Sequence, residues 1–154
     1  MQIQYITGDA TTPVGDGNKI IAHTCNDIGA WGAGFVLSIS KRWPLPMAEY
    51  LKLGRPLRLG TVSLVQVEPS IWVANMIAQR GIRALANVPP IRYNALKHCL
   101  EILAREAANL KATIHMPRIG CGLAGGKWAS VEPLIREAIP NTKVFVYVVY
   151  DLRH

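Results

Sequence analysis

The chain has 154 residues, of which 50% are hydrophobic and 18% charged, so it can bury a core and its composition excludes a disordered polypeptide. Its formal net charge of +7 favours an anionic partner such as a nucleotide, a nucleic acid or an acidic protein. The basic residues are scattered rather than grouped, which makes a nucleic acid an unlikely partner.

The cysteines and the apolar runs bear on the cellular setting of the protein. Cys25, Cys99 and Cys121 are odd in number and lack the spacing of a metal site, which fits a reducing compartment. No apolar run approaches the roughly 18 residues of a membrane helix, and no segment has the pattern of a signal peptide. We therefore expect a monomeric, cytoplasmic protein of one domain, residues 1–154, without membrane, metal or cofactor.

The first half of the chain begins with strand patterns and continues through helices. Apolar periodicity predicts four strands, at residues 2–7, 18–23, 61–67 and 71–78. Between the second and third of these strands it predicts two helices, at residues 35–42 and about 46–52, of which the first ends before Pro44. A glycine-rich turn, residues 24–34, connects the second strand to the first helix.

The second half repeats this alternation. A polar loop over residues 79–87 carries arginines, and Pro89-Pro90 is predicted to start a long helix that runs to Asn109. Strands are predicted at residues 113–116 and 143–150, with a glycine-rich loop and a helix over residues 129–139 between them. The alternation predicts an α/β fold: a single three-layer α/β/α domain with a mixed, largely parallel sheet buried on both faces.

Residues 116–128, MPRIGCGLAGGKW, contain four glycines in seven residues where a strand leads into a helix. Such a turn exposes unpaired N–H groups at the positive end of a helix dipole, which suits a diphosphate. A P-loop is excluded because Cys121 and Trp128 stand where that motif needs Gly and Ser or Thr. The match of Gly120, Gly122 and Gly125 to G-x-G-x-x-G is weak alone, so a dinucleotide fold and a loop without a ligand stay open as alternatives.

Three segments, in order, resemble the ligand loops of the macrodomain family, which binds ADP-ribose. They are Gly8-Asp9-Ala10-Thr11, the turn HTCNDIGAWGAG at residues 23–34, and MPRIGCGL at residues 116–123. The branch that they resemble contains the hydrolases of glutamate-linked ADP-ribose and the ADP-ribose-1″-phosphate phosphatases. The resemblance implies ADP-ribose or mono-ADP-ribosylated proteins as partners.

The resemblance also implies binding roles for individual residues. Asp9 would accept a hydrogen bond from the adenine amino group, and Ala10 would donate its backbone N–H to the base. Leu152 or Tyr150 would pack near the adenine. Asn26 would face the distal ribose. The two phosphates would lie between two sets of backbone groups, those of Gly32, Ala33 and Gly34 and those of Ile119, Gly120, Cys121, Gly122, Leu123 and Ala124. Alternatives are an Asx turn for Asp9 and a turn asparagine for Asn26. Trp31, an aromatic in a glycine loop, is predicted to lie over the distal ribose.

The catalytic residues of the glutamate-ester hydrolases do not carry over to this chain. The positions of the family's nucleophilic lysine and assisting aspartate are occupied here by Gln79 and Ala124, which can neither form an adduct nor move a proton. We therefore expect water, held by Asn26 or Asp27 and the ligand's phosphate, to attack the distal ribose while Gln79 contacts the ribose or the leaving group. The predicted activity is release of mono-ADP-ribose from acidic side chains; the alternatives are a non-catalytic reader, an ADP-ribose-1″-phosphate phosphatase and an RNA-associated protein.

Overall fold

The computed structural model describes residues 2–54 and 57–149, except for the side chain of Gln2. Its strands are β1 (Gln2–Thr7), β2 (Lys19–Asn26), β3 (Val62–Glu68), β4 (Ile71–Gln79), β5 (Thr113–Pro117) and β6 (Lys143–Val148). Its helices are α1 (Phe35–Arg42), α2 (Leu45–Leu51), α3 (Tyr93–Leu110) and α4 (Trp128–Ala138). The elements therefore follow the predicted order along the chain.

The strands of the described residues form one sheet in the order β1-β6-β5-β2-β4-β3. All neighbouring strands are parallel except β3, which pairs antiparallel with β4 at the edge of the sheet. This confirms the mixed, largely parallel sheet. Because parallel strands share a direction, the carboxyl ends of β2, β4 and β5 meet at one edge, where ligands of open α/β folds bind.

Two apolar clusters cover the two faces of the sheet. On one face, alternate residues of β2 and β4 such as Ile20 and Met76 pack against the apolar faces of α3 and α4. On the opposite face, the neighbouring residues Ile21 and Ile77 pack against α1, α2 and Trp43. This alternation is the period of two that a strand imposes, and it confirms the three-layer α/β/α fold.

Several element boundaries differ from the predictions by one or two residues, and two differ by more because contacts distant in sequence set them. β2 extends to Asn26 because its parallel register with β4 continues to the pair of Asn26 and Gln79. α3 begins at Tyr93 rather than at Pro89-Pro90 because that dipeptide lies beside the end of β4, where the Arg80 N–H donates to the Pro90 carbonyl at 2.9 Å. The predicted end of the last strand, Tyr150, lies outside the described residues.

Two histidines are buried inside the fold rather than placed at its surface. The Nε2 atom of His23 lies 2.6 Å from the side-chain Oδ1 atom of Asn75, so this nitrogen carries the proton of a neutral ring. His115 lies between the hydroxyl groups of Thr113 and Tyr147, at 2.7 Å and 2.8 Å. Burial lowers the pKa of both imidazoles to about 4, and the nearby Lys19 contributes for His115. Both rings are therefore neutral in the folded protein near neutral pH.

These histidines predict a loss of stability in mild acid. In the unfolded chain a histidine titrates near pH 6.5. Below that pH the unfolded state therefore binds protons that the folded state does not bind. The free energy of unfolding therefore keeps its full value well above about pH 6.5 and decreases as the pH falls towards about 4. Between pH 6.5 and pH 5 the free energy of unfolding should fall by about 1.5 kcal/mol per histidine, measured by urea denaturation. His115→Gln should remove about half of this slope, and an unchanged slope would contradict the assignment.

Candidate functional site

A cleft of about 740 Å³ opens at the carboxyl edge of the sheet. Three segments that follow strands form its walls: the first loop (residues 27–34) after β2, the lip loop (residues 80–88) after β4, and the second loop (residues 118–127) after β5. Residues at the ends of the strands line its floor, namely His23, Thr24, Cys25, Asn26, Gln79 and Pro117. Both glycine-rich segments singled out in the sequence thus line one cavity.

The first and second loops present backbone N–H groups that the described residues leave without acceptors. These groups belong to Gly32, Ala33 and Gly34 in the first loop and to Gly122, Leu123 and Ala124 in the second. α1 begins directly after Gly34, with no side-chain cap and no acidic residue in its first turn. Unpaired amides at the positive end of a helix favour an anion in the space between the loops.

The glycines of the two loops differ in what requires them. A Cβ at Gly126 would lie 2.4 Å from the Gly120 carbonyl oxygen, so the fold itself excludes a side chain there. Gly34 has a φ of 81°, and a Cβ there would lie 3.3 Å from the Leu123 Cδ1 atom, because the two loops approach each other at this point. A Cβ at Gly32 or Gly122 would meet no atom of the described residues within 4 Å. The space above Gly32 and Gly122 is therefore free for a ligand.

The Asn26 side chain holds the first loop in place. Its Oδ1 atom accepts the N–H groups of Ile28 at 3.1 Å and Ala30 at 3.0 Å, while its Nδ2 donates to the Ala30 carbonyl at 2.7 Å. The Tyr50 hydroxyl lies 2.9 Å from the same Oδ1. Asn26 thus acts as the turn asparagine that the sequence left as an alternative, and its proposed contact with the distal ribose stays a prediction.

Asp27 ties the first loop to the lip loop. Its Oδ1 accepts the Gly81 N–H at 2.8 Å, and its own N–H donates to the Gln79 carbonyl at 2.9 Å. The residue is half-buried and is not among the described residues that line the cleft. Its predicted role in holding a catalytic water stays a prediction, to which this geometry adds a structural role.

Gln79 lines the cleft and contacts Thr24, which lies on the adjacent strand β2. The Thr24 hydroxyl donates to the Gln79 Oε1 at 2.9 Å. With its oxygen engaged in this way, the Gln79 amide has N–H groups left to donate to a ligand. Sequence reasoning assigned Thr24 no role; its place in the segment HTCNDIGAWGAG, which was singled out as a ligand loop, was the signal that could have found it.

None of the residues predicted to recognise adenine is among the described residues that line the cleft. The Asp9 Oδ1 accepts both the N–H and the hydroxyl of Thr11 at 2.8 Å, the Asx turn named as its alternative. Asp9 is exposed and Ala10 is buried, and neither lines the cleft within the described residues. Tyr150 and Leu152 lie outside the described residues. The adenine contacts therefore remain predictions.

Trp31 requires a correction, because it belongs to the core. Its side chain is 8% exposed, its Nε1 donates to the Ser40 hydroxyl at 2.7 Å, and its ring packs edge-on against His23 with centroids 5.5 Å apart. A second aromatic contact joins it to Tyr50. The indole fills the space between the first loop and α1 instead of lining the cleft, so its location among glycines was misleading.

Cys121 is poorly suited to act as a nucleophile. Its thiol lies 3.4 Å from the Ile119 carbonyl oxygen and is not among the described residues lining the cleft. Burial raises its pKa, and the nearby Arg118 guanidinium offsets this only in part. Cys25 does line the cleft, but burial raises its pKa even further from the physiological range. Both groups are neutral thiols at neutral pH.

The charges that reach the cleft are positive. Arg83 and Arg118 line it from the lip loop and the second loop, and both are exposed. Among the described lining residues there is no carboxylate and no lysine, and neither arginine forms an ion pair with a described carboxylate. Sequence reasoning placed Arg83 near a loop but assigned it no role.

The described residues also contain no cluster of three metal-ligating side chains and no helix long and apolar enough to cross a membrane.

Fold and site together define a three-layer α/β protein with a glycine-lined, positively charged cleft, and comparisons with known proteins extend this description. The chain is 47% identical to the macrodomain protein from Streptomyces coelicolor, with a TM-score of 0.85 over 97% of this chain and 100% of that one. It therefore belongs to the macrodomain family. None of the protein-family profiles compared with the chain matches it.

Two curated relatives carry descriptive names. The ADP-ribose 1″-phosphate phosphatase of Candida albicans is 29% identical over 96% of this chain and 99% of its own length. The chromodomain-helicase-DNA-binding protein 1-like of Danio rerio is 32% identical over 98% of this chain, which spans only 16% of that protein's length. The second relative is therefore a much longer protein that contains one matching segment.

The role of Asn26 can be tested by its removal. Asn26→Ala leaves the N–H groups of Ile28 and Ala30 without their acceptor, so the free energy of unfolding should fall by about 2 kcal/mol in urea denaturation. As a control, Asn109→Ala at an exposed position of α3 should change it by less than about 0.5 kcal/mol. A variant at position 26 that loses ligand affinity at unchanged stability would instead support the predicted contact with the ribose.

Proposed function

We propose that this macrodomain binds ADP-ribose in the cleft, with the diphosphate between the first and second loops. The observation that carries the proposal is the set of unpaired amides on both sides of the space above Gly32 and Gly122. A diphosphate offers acceptors to both sets at once, and Arg83 and Arg118 add positive charge at the rim. The name of the Candida albicans relative supports the same ligand class.

We also propose an orientation for the ligand in the cleft. The distal ribose would lie towards the ends of β2 and β4, where Asn26 and Gln79 line the floor. The adenine would lie towards Asp9, whose second carboxylate oxygen can accept the exocyclic amine while Oδ1 remains in its turn. The apolar side chains of Phe35, Ile82 and Leu123 border the space between these ends.

We further propose that the protein hydrolyses ADP-ribosyl esters of glutamate and aspartate. With no carboxylate or lysine among the described lining residues, the cleft offers neither a general acid nor an amine nucleophile. A carboxylate leaving group needs no protonation, so the bond from the distal anomeric carbon to the ester oxygen can break with its electron pair on the carboxylate. Water then adds to that carbon and gives its proton to a phosphate oxygen of the ligand.

A second candidate function is the removal of phosphate from ADP-ribose 1″-phosphate. It is favoured by the similarity of the chain to the Candida albicans phosphatase along that protein's whole length. The same cleft would hold this substrate with its terminal phosphate near Arg83 or Arg118. The two activities are separated by their products, since only the second releases inorganic phosphate.

Binding is tested by placing a side chain in the free space. Gly122→Glu should fold normally, because a Cβ at this position meets no atom within 4 Å. It should weaken ADP-ribose binding by more than about a hundredfold in calorimetric titration, by steric block and charge repulsion. The control Ser130→Glu adds the same charge at an exposed position of α4 and should bind like the unmodified protein. Wild-type affinity in Gly122→Glu would place the diphosphate elsewhere.

Hydrolysis is tested with two linkages. Glutamate-linked ADP-ribose should be released faster than in a blank without protein, whereas serine-linked ADP-ribose should remain intact because an alkoxide cannot leave without a general acid. In water labelled with ¹⁸O, the released glutamate should contain no label, since water attacks the ribose carbon. Label in the glutamate would mean attack at the acyl carbon, and release from serine would mean that a proton donor operates in the cleft.

A further inference from the structure

We propose that the lip loop (residues 80–88) binds the acidic polypeptide segment that surrounds an ADP-ribosylated carboxylate. The lip loop would thus recognise the substrate protein. This inference rests on the proposed binding of ADP-ribose in the cleft. The partner is an acidic, partly apolar protein segment. Arg80 and residues 84–88 of the loop would contact that segment, whereas Ile82 and Arg83 line the cleft itself.

The position of the loop places it where a modified protein must leave the cleft. The loop follows Gln79, the residue at the end of β4 that lines the floor beneath the distal ribose, and Ile82 and Arg83 form part of the wall. A protein attached to the anomeric carbon of that ribose continues outward past this wall. The next residues of the loop, Ala84 to Val88, are exposed beyond it.

Hydrogen bonds hold the lip loop in a defined conformation. The N–H groups of Leu85 and Val88 each donate to the other's carbonyl, at 3.0 Å and 2.9 Å, which closes a tight two-residue turn. Ala86 and Asn87 have φ angles of 51° and 66°, the conformation of the type I′ turn. For Ala86 this conformation costs about 1 kcal/mol. The ends of the loop are fixed by the Asp27 carboxylate on Gly81 and by the Arg80 N–H on the Pro90 carbonyl.

The side chains on this projection suit an acidic and partly apolar segment. Ile82, Leu85 and Val88 are 50%, 63% and 49% exposed, although the backbone that carries them is held in place. Arg80 and Arg83 are exposed, and neither forms an ion pair with a described carboxylate. Guanidinium groups beside exposed apolar side chains are complementary to a segment that carries both carboxylates and apolar residues.

The test uses ADP-ribosyl peptides in which a hydrolysis-resistant bond replaces the ester, so that affinity is measured independently of turnover. One peptide carries acidic and leucine residues beside the attachment point, and the other carries lysine and serine there. The unmodified protein should bind the acidic conjugate about tenfold more tightly than the basic one, the scale of a few exposed contacts. It should bind free ADP-ribose with an affinity between the two.

The decisive variant is Arg80→Glu with Leu85→Ser, which changes two loop side chains that do not line the cleft. It should bind free ADP-ribose like the unmodified protein but lose the preference for the acidic conjugate. The control Arg105→Glu with Leu51→Ser makes the same changes at exposed positions of α3 and α2 and should keep the preference.

Three outcomes would overturn the proposal. Equal affinity of the unmodified protein for both conjugates, with free ADP-ribose bound, would remove the docking role and leave the nucleotide site intact. A parallel loss of free ADP-ribose affinity in the double variant would make the loop part of the nucleotide site. If the unmodified protein does not bind free ADP-ribose, the proposed function itself fails, and the docking proposal falls with it.

Discussion

The site depends on backbone amides that find no acceptor among the described residues. In the first loop they precede α1, whose first turn carries no acidic side chain, and in the second loop they flank Gly122. Unpaired N–H groups are costly wherever water is excluded, so a ligand that displaces water from the cleft must supply acceptors of its own. An anion with oxygens on two sides meets this requirement, and the open space above Gly32 and Gly122 sets where it fits.

The chemistry available in the cleft is limited by the state of its titratable groups. His23 is neutral near pH 7 because burial holds its pKa at about 4, and burial keeps the Cys25 thiol protonated. Arg83 and Arg118 contribute positive charge and hydrogen-bond donors. Any rate enhancement must therefore come from orienting the substrate and from stabilising charge on the leaving carboxylate and the phosphates. This is why the proposed substrate is an ester rather than an acetal.

Local pattern was sufficient to predict the order of elements and the two glycine loops, because strand and helix periods and glycine turns are encoded by neighbouring residues. It could not predict features that depend on contacts between residues distant in sequence. Trp31 was misassigned because its Ser40 and His23 contacts depend on the packing of α1 over the sheet. The start of α3 was placed too early because Pro90 bonds to Arg80 across the end of β4. The sequence could not decide between two roles for Asn26, because an asparagine at the start of a glycine-rich loop can either stabilise the turn or contact a ligand.

The end of β2 connects the parts of the site. Asn26 and Asp27 are adjacent, yet their side chains act in different directions: the first organises the glycine turn that would hold a phosphate, and the second anchors the Gly81 end of the lip loop. The backbone of Asp27 also bonds to Gln79, so β4 is fixed to the same point. A shift of this strand end would therefore displace the amides, the Gln79 side chain and the lip loop together. The proposed nucleotide binding and the proposed recognition of the attached protein would therefore both depend on one short segment, because the first loop and the lip loop share a single anchor.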